Sequence, residues 1–262
     1  MRRFSAEYLR DTRRGLWDDR SALDGLELDS RTRVLDVGCG TGELTRVLRE
    51  ESDADVVALD ADPALLDAVD ADGRALGDAT RLPFRDDAFD LVVCQALLIN
   101  LPDPSAAVRE FARVSSDLVA AVEPDNSEVR VESTVEAEAP LAHRARETYI
   151  AGVETDVALG SGAAALFRDV GLSDVETRRH EYERSVAAPY DEAALESAKR
   201  KATGERIRQQ AATLKRGGLS QRELDDLANE WKAMGRDVVE QLSAGEYERR
   251  AHIPFYVVVG RV

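Results

Sequence analysis

One stretch near the start of the chain limits the fold more than any other. A short apolar run at residues 34–37 ends in residues 38–42, which read Gly-Cys-Gly-Thr-Gly, and residues 43–48 continue with apolar side chains at helical spacing. Glycines let the backbone turn sharply and approach a ligand closely. The N-terminus of the following helix offers free N–H groups and a partial positive charge. The stretch therefore predicts a strand, a glycine turn and a helix that form a pocket for a nucleotide-like ligand.

Further apolar runs repeat this alternation of strand and helix. Predicted strands lie at residues 56–59, around 75–76, at 89–94 and at 118–122, and predicted helices begin at Pro63 and Pro104. Strands that alternate with helices at this spacing indicate βαβ units and a parallel sheet. Right-handed crossovers then place helices on both faces of the sheet. The predicted fold is α/β, with a doubly wound and mostly parallel sheet.

The second half of the chain is less regular. Residues 161–171 fit a helix that Ser161 caps and Gly171 ends, and residues 175–186 fit a strand. Two helical patterns follow, at 191–215 and 220–242, joined by a pair of glycines. The second of these helices begins with the Ser and Glu of a capping box. The apolar residues 254–259 predict a last strand.

These elements are interpreted as one domain over residues 1–262. The predicted parts are an N-terminal helical cap at 1–30, a core at 31–190, an inserted helical pair at 191–245 and a final strand at 254–262.

The charge of the chain bears on its surroundings and partners. Asp and Glu number 51 against 35 Lys and Arg, which gives a formal net charge of −16, and only four of the basic residues are lysines. Such an acidic excess with few lysines is typical of a halophilic protein, because high salt screens the repulsion between like charges. An ordinary acidic protein from a GC-rich genome is the alternative. The acidity also disfavours a nucleic-acid partner.

Some classes of protein do not fit this sequence. No run approaches the roughly 18 apolar residues of a membrane span, and the first ten residues have no secretory signal. We therefore expect a cytoplasmic protein with no membrane partner. The two cysteines, Cys39 and Cys94, make neither a disulfide framework nor a four-ligand zinc site, so no metal is expected.

The spacing of the glycines argues against a dinucleotide-binding site. A dinucleotide fingerprint requires its third glycine at position 43, where this chain has Glu43. Two carboxylates follow the next predicted strands. Asp60 is placed to accept hydrogen bonds from a ribose diol, or else to cap the helix from Pro63. Asp78 is placed to accept from an adenine amine, or else to stabilise a turn.

Residues 34–42, Val-Leu-Asp-Val-Gly-Cys-Gly-Thr-Gly, resemble the first motif of class I S-adenosylmethionine-dependent methyltransferases. Residues 77–84 and 89–93 resemble the later motifs of the small-molecule branch, methyltransferase domain 11, which is similar to ubiquinone-biosynthesis enzymes. The resemblance is close over residues 30–123 and loose over 161–176. It implies a seven-stranded, Rossmann-like sheet with an antiparallel last strand, and S-adenosyl-L-methionine as the cofactor.

The resemblance also assigns residues to the cofactor. The residues assigned are Asp36, Gly38, Cys39, Gly40, Gly42, Asp60, Ala61, Asp78, Ala79 and Gln95. Asp36 and the glycines are expected to face the methionine part of the cofactor, and Gln95 to lie near its sulfur. Asp60 is expected to hold the ribose. Ala61, Asp78 and Ala79 are expected beside the adenine.

The acceptor side of the site is less well defined by the sequence. The carboxyl ends of the strands are the expected place for a substrate, and relatives use their N-terminal segment as a lid. The candidate substrate residues are Tyr8, Trp17, Asn100, Glu123 and Asn126. Relatives carry a histidine pair where this chain has Ile99 and Asn100, so substrate assignments from the family do not transfer. The general base and the oligomeric state stay open.

Three functions compete at this point. The first is methyl transfer from S-adenosylmethionine to a small-molecule acceptor by in-line displacement. The second is methylation of RNA or protein, although no basic domain is appended and residues 94–97, Cys-Gln-Ala-Leu, differ from an Asn-Pro-Pro-Tyr-type motif. The third is a non-catalytic S-adenosylmethionine-binding or interaction protein.

Overall fold

The computed structural model describes residues 5–13 and 15–262, without the side chain of Asp11. Residues 1–4 and 14 of the predicted helical cap lie outside the described residues. The helices are α1 (Ala6–Arg13), α2 (Glu43–Glu51), α3 (Pro63–Leu66), α4 (Pro104–Val114), α5 (Glu138–Gly152), α6 (Ala163–Val170), α7 (Glu192–Thr203), α8 (Glu205–Gln209), α9 (Ala211–Arg216) and α10 (Gln221–Ala244). The strands are β1 (Arg33–Val37), β2 (Asp55–Asp60), β3 (Gly73–Leu76), β4 (Phe89–Gln95), β5 (Ser115–Pro124), β6 (Arg130–Ser133), β7 (Ser173–Val186) and β8 (Arg249–Arg261). Short 3-10 turns lie at Arg20–Leu26, Leu28–Ser30, Leu98–Asn100 and Gly160–Gly162.

The chain divides into two compact units. The first unit contains the residues up to Asp125 together with Leu159–His180 and Phe255–Val262. The second unit contains Asn126–Ala158 and Glu181–Pro254. The single-domain interpretation and its internal boundaries stay a prediction.

The first unit is built around a sheet with strand order β3-β2-β1-β4-β5-β8, and β7 pairs with β8. The pairs among β1 to β5 are parallel. β8 runs antiparallel to β5, with Leu118 opposite Arg261 and Pro124 opposite Phe255. The predicted α/β class, the mostly parallel sheet and the antiparallel last strand are confirmed.

The core of the first unit explains why these strands read as continuous apolar runs. β1 and β4 are buried along nearly their whole length, because helices cover both faces of a parallel sheet. Phe89, Phe111 and Phe167 are fully buried, and burying a side chain of this kind stabilises the fold by about 1.5–3 kcal/mol. The helix predicted from Pro104 is confirmed. Asp103 caps it by accepting a hydrogen bond from Ala106 N at 3.0 Å.

The second unit has a helical core. Ile207, Leu214, Trp231, Met234 and Val238 are buried there, on helices α8, α9 and α10. The predicted capping box at the start of α10 is confirmed, since the Ser220 side chain accepts from the Glu223 N–H and the Glu223 side chain accepts from the Ser220 N–H. β6 pairs antiparallel with the beginning of β8, from Arg130 opposite His252 to Ser133 opposite Arg249.

Three details differ from the sequence prediction. The predicted helix at 191–215 is three helices. Gly204 takes a left-handed conformation with φ 65° and ends α7, and Gln210 separates α8 from α9. Ser161 does not cap α6, which begins after a 3-10 turn that contains this serine. The prediction also missed β6 and α5 entirely. Gly171 does end α6, as predicted, in the left-handed conformation.

Candidate functional site

The loop between β1 and α2 is tied to the end of β2 by its own backbone. Gly38 N and Cys39 N both donate to the carbonyl oxygen of Leu59, at 2.7 and 3.0 Å. Gly40 N donates to Oδ2 of Asp60 at 2.9 Å. These bonds bring the carboxyl ends of two neighbouring parallel strands together, which is where open α/β sheets bind their ligands.

All three glycines of this loop, including Gly42 with φ 84°, take the left-handed conformation. Gly38 has φ 70° and Gly40 has φ 57°, a region that other residues enter only at a cost. A Cβ on Gly38 would stand 2.8 Å from Cδ1 of Leu97. A Cβ on Gly40 would stand 2.8 Å from Nη1 of Arg13. The loop therefore needs both the backbone freedom and the missing side chain.

Asp36, near the end of β1, is buried beneath this loop. Its Oδ2 accepts a hydrogen bond from Thr45 Oγ1 at 2.6 Å, whereas its Oδ1 is buried without a hydrogen-bond partner among the described residues. Burial raises the pKa of Asp36 to about 6, although the bond from Thr45 and the charge of Arg13 oppose that shift. The carboxylate is thus held in place and has one acceptor atom left for a donor.

Asp60 ends β2, and each of its oxygens accepts one backbone N–H. Oδ2 accepts from Gly40 and Oδ1 accepts from Asp62 N at 2.9 Å. Asp62, not Asp60, caps α3, since its side chain accepts from Ala64 N. A carboxylate has about four acceptor positions, so Asp60 retains capacity for further donors. The neighbouring Ala61 is exposed.

Asp78 lies two residues beyond the end of β3, in a turn. Its Oδ1 accepts from both the N–H and the hydroxyl of Thr80, each at 2.8 Å. The backbone bond, followed by the hydroxyl bond, lowers the pKa of Asp78. Asp78 is exposed and Ala79 is buried. Asp78 therefore stabilises a turn, which was the alternative to a role in ligand binding. Its contact with adenine stays a prediction.

Gln95, the last residue of β4, meets the N-terminal segment. Its Oε1 accepts from the indole N–H of Trp17 at 3.2 Å. Its Nε2 is buried without a hydrogen-bond partner among the described residues. Trp17 is 4% exposed and Gln95 is 2% exposed, so the structure brings these two predicted residues together beside the loop.

Arg13 and Glu43 also lie beside the glycine loop, and the sequence analysis predicted neither of them as a site residue. The guanidinium of Arg13 lies 3.6 Å from Oε2 of Glu43, and only 10% of the Arg13 side chain is exposed. Its Nη2 also approaches the carbonyl oxygen of Gln95 at 3.5 Å. Glu43 Oε1 accepts from Thr41 Oγ1, while its Oε2 has no hydrogen-bond partner among the described residues. A helix pattern alone gives no signal that Arg13 turns inward.

The remaining predicted substrate residues have other surroundings. Glu123, on β5, is fully buried and accepts backbone hydrogen bonds from Leu97 at 3.0 Å and Leu98 at 2.8 Å. Burial raises the pKa of Glu123 to about 7. Asn100 donates to the carbonyl oxygen of Ala96 at 2.7 Å. Glu123 and Asn100 therefore stabilise the turn that follows β4.

Asn126 and Tyr8 are the other two predicted substrate residues. Asn126 belongs to the second unit and donates to the carbonyl oxygen of Val157 at 2.6 Å. Tyr8, on α1, is 52% exposed.

Cys39 is buried in the glycine loop, and burial raises the pKa of its thiol. This thiol is therefore a poor nucleophile in the folded protein.

This part of the chain matches a family of known proteins. Residues 35–117, which include the glycine loop, Asp60, Asp78 and Gln95, match the family described as "Methyltransferase domain". Residues 35–117 form a methyltransferase domain. With the sheet described above, the match confirms the predicted resemblance to class I S-adenosylmethionine-dependent methyltransferases, whose cofactor is S-adenosylmethionine.

Curated relatives of the methyltransferase domain include two demethylmenaquinone methyltransferases. The one from Mycolicibacterium vanbaalenii is 41% identical over 98 residues, which are 37% of this chain and 42% of the relative. The one from Lactiplantibacillus plantarum is 37% identical over 101 residues, which are 34% of this chain and 43% of the relative. The chain thus spans less than half of the length of these relatives.

Solved structures are similar over more of the chain. A protein from Bacillus halodurans C-125 has a TM-score of 0.52 at 14% identity, and the match covers 92% of this chain and 98% of that one. The YcgJ protein from Bacillus subtilis has a TM-score of 0.50 at 16% identity, with the same coverage. At these identities the similarity concerns the fold alone.

Proposed function

We propose that this chain is a methyltransferase that transfers the methyl group of S-adenosylmethionine to a small-molecule acceptor. One observation carries the proposal. Three polar atoms around the glycine loop, on Asp36, Glu43 and Gln95, are buried without hydrogen-bond partners among the described residues. A buried polar group left unsatisfied costs about 1–3 kcal/mol, so the loop is built for a polar ligand.

The chemistry of these atoms fits the amino-acid part of the cofactor. Oδ1 of Asp36 can accept from an ammonium group, and Nε2 of Gln95 can donate to an oxygen. Arg13 supplies a cation for a carboxylate; among the described residues its ion pair is with Glu43, at 3.6 Å. A ligand that carries both an ammonium and a carboxylate satisfies this donor set. A nicotinamide dinucleotide offers neither group in that arrangement.

The nucleoside part of the cofactor is assigned to the ends of β2 and β3. Asp60 would accept from the ribose hydroxyls with the acceptor positions that its two backbone hydrogen bonds leave open. Asp78, Ala79 and Ala61 would lie beside the adenine. Cys39 and the glycines would contribute backbone groups and close approach rather than side-chain chemistry.

When bound, S-adenosylmethionine supplies an electrophilic methyl group on a sulfonium. The chain's own task is to align the acceptor with that methyl group and to exclude water. Trp17 and Gln95 would share this task, and their burial and mutual hydrogen bond support that assignment. Tyr8, Asn100, Glu123 and Asn126 stay proposals for the acceptor side.

The curated relatives support a small molecule as the acceptor, since they are named demethylmenaquinone methyltransferases. The net charge of −16 is unfavourable for RNA, whose backbone is also negative.

The acidic, lysine-poor composition supports a cytoplasm rich in salt. Within the described residues, no helix is both long and apolar enough to cross a membrane. The layout of one methyltransferase domain with inserted helices at 191–245 remains part of this proposal.

Calorimetric titration with S-adenosylmethionine and S-adenosylhomocysteine tests the cofactor assignment. The titrations use the wild type, Asp60→Ala and the neighbouring Asp62→Ala, each in dilute buffer and in molar KCl. We expect micromolar binding by the wild type, weakened at least tenfold in Asp60→Ala, which corresponds to about 1.4 kcal/mol. Asp62→Ala removes only the cap of α3 and should bind within twofold of the wild type.

The outcomes separate the competing functions. Absence of binding by folded wild-type protein in both buffers contradicts the proposal. Binding followed by no turnover with any small acceptor, quinols included, favours a non-catalytic binding protein. Copurification of RNA, with methyl transfer to it, favours the nucleic-acid alternative.

A further inference from the structure

The second unit contains a cleft that the proposed methyl transfer does not use. The cleft lies between β6 and α5 and has a volume of about 420 Å³. Residues 129–132 line it on one side, and Ala139, Pro140, His143 and Arg146 line it on the other. We refer to it as the β6–α5 cleft. Clefts of this size hold small ligands.

Arg146 brings an uncompensated positive charge to this cleft. Its Nε is buried without a hydrogen-bond partner, and no carboxylate lies within ion-pair distance of its guanidinium in the part of the chain that the structure describes. Its Nη2 meets only the Nδ1 atom of His143, at 3.4 Å. Arg144, two residues earlier on the same helix, is paired with Glu230 at 2.9 Å. The two arginines of this helix therefore differ, since Arg144 has a carboxylate partner and Arg146 has none among the described residues.

Glu138, a buried carboxylate at the start of the same helix, cannot serve Arg146, because its acceptor positions are already filled. Oε1 of Glu138 meets Lys201 Nζ at 2.6 Å and Arg249 Nε at 3.1 Å. Oε2 of Glu138 accepts from Tyr247 at 2.8 Å and Ser133 at 2.7 Å. Four donors match the roughly four acceptor positions of a carboxylate.

Other cations lie near Arg146 and add to the positive potential. Burial, followed by the charge of Arg206, lowers the pKa of Arg146, and the charge of Arg249 acts in the same direction. Glu147 opposes this effect, but its Oε1 is already paired with Nε2 of His143 at 3.3 Å. An anion bound next to Arg146 would relieve this repulsion.

A second arginine lines the same cleft without a partner. The side chain of Arg130 has no hydrogen bond or ion pair with any described residue. Glu132 also lines the cleft, and its carboxylate faces His252 at 3.7 Å. The cleft thus carries two arginines that lack an ion pair among the described residues against one carboxylate, whereas the chain as a whole has 51 acidic and 35 basic residues.

We propose that the β6–α5 cleft binds a phosphate group, either free phosphate or the phosphate of an ester, through Arg130 and Arg146. Two guanidinium groups match the double negative charge of a phosphate and present several donors to its oxygens. His143 and Glu132 are the other polar side chains that line the cleft. This inference concerns the second unit alone and does not depend on the proposed methyl transfer.

Titration calorimetry with inorganic phosphate and with glycerol 2-phosphate tests the proposal. Both probes are used at pH 7.5 and at constant ionic strength in KCl, on the full chain. We expect saturable binding of at least one probe, weakened at least tenfold in Arg146→Gln and in Arg130→Gln. Arg144→Gln is the matched control, and its affinity should stay within twofold of the wild type.

The two probes distinguish the source of the phosphate. Saturable binding of inorganic phosphate alone identifies the free ion as the occupant, and preference for glycerol 2-phosphate identifies an ester. If Arg146→Gln loses its native circular dichroism, the exposed Arg130→Gln decides the result. The proposal is overturned if neither probe binds saturably, or if both variants at the cleft bind as tightly as Arg144→Gln.

Discussion

The backbone N–H of Gly40 donates a 2.9 Å hydrogen bond to Oδ2 of Asp60. The carboxylate assigned to the ribose therefore also fixes the conformation of the glycine loop. We expect loss of Asp60 to remove the proposed ribose contact and to loosen the loop at the same time. Thermal unfolding of Asp60→Ala should accompany its calorimetry, so that the two effects are measured separately.

Arg13 is expected to recognise the carboxylate of the methionine part of the cofactor. In Arg13→Gln we expect S-adenosylhomocysteine to bind at least tenfold more weakly, because the buried cation beside Glu43 is lost. Binding of 5′-methylthioadenosine, which lacks the amino-acid part, should change less than twofold. Calorimetry with both ligands measures the difference.

The exposed Arg10 on the same helix provides the control for Arg13. Arg10→Gln should leave the affinities for both ligands unchanged. Equal weakening of the two ligands by Arg13→Gln would contradict a carboxylate contact and would point to a general loss of structure in α1.

Gly38→Ala is expected to destabilise the fold by more than the cost of its backbone conformation. A left-handed non-glycine residue costs about 1–2 kcal/mol, and the new Cβ would also stand 2.8 Å from Leu97. Gly171→Ala provides the matched control, since Gly171 has φ 98° and nothing within 4 Å of its Cβ position. Urea unfolding of both variants gives the steric part by difference. Equal losses of stability would show that Leu97 moves aside without cost.

Glu123 is expected to make stability depend on pH. Its pKa is raised from 4.5 to about 7 by burial, so between these values the folded state binds more protons than the unfolded state. Stability therefore falls as the pH rises from about 4.5 to about 7, by at most about 3 kcal/mol from this group. Glu123→Gln removes the titrating group and keeps an oxygen that accepts from Leu97 and Leu98.

The measurement for Glu123 is urea unfolding of the wild type and Glu123→Gln at pH 5 and pH 8. Relative to the variant, the wild type should lose stability between the two pH values. A difference in unfolding free energy that is the same at both pH values would show that Glu123 is ionised throughout this range.

Both cysteine thiols are expected to be unreactive in the folded protein. Cys39 is 2% exposed and Cys94 is fully buried, and burial raises the pKa of each thiol. Ellman's reagent should react with neither thiol over minutes in native buffer and with both in 6 M guanidinium chloride. Cys39→Ser and Cys94→Ser identify any thiol that reacts early. Rapid reaction of Cys39 would show that the glycine loop opens readily.

The sequence predicts the sheet of the first unit well, because its signals are local. The apolar runs of β1 and β4, the glycines between β1 and α2, and the proline that begins α4 each specify their own structure. The carboxyl ends of parallel strands meet at one edge, so the approximate position of the site follows from the order of the elements.

Other features depend on contacts that the sequence does not display. The apolar side chains of α5, Glu138–Gly152, form no clear stripe, and β6 has only four residues, so neither stands out. The inward turn of Arg13 and the engagement of Glu123 with the turn after β4 are tertiary contacts between distant parts of the chain. The position of Glu123 at the end of a strand predicts a substrate role, but the sequence does not display the backbone N–H groups of Leu97 and Leu98 from which it accepts.

The two tryptophans of the chain are divided between the two units. Trp17 lies in the first unit, with its indole N–H bonded to Gln95, and Trp231 lies in the core of the second. Each unit therefore carries its own fluorophore. In Trp231→Phe, the fluorescence of the remaining Trp17 reports on the glycine-loop pocket. In Trp17→Phe, the fluorescence of the remaining Trp231 reports on the helical core. Ligand titrations and unfolding curves can thus be followed for each unit separately, without an added label.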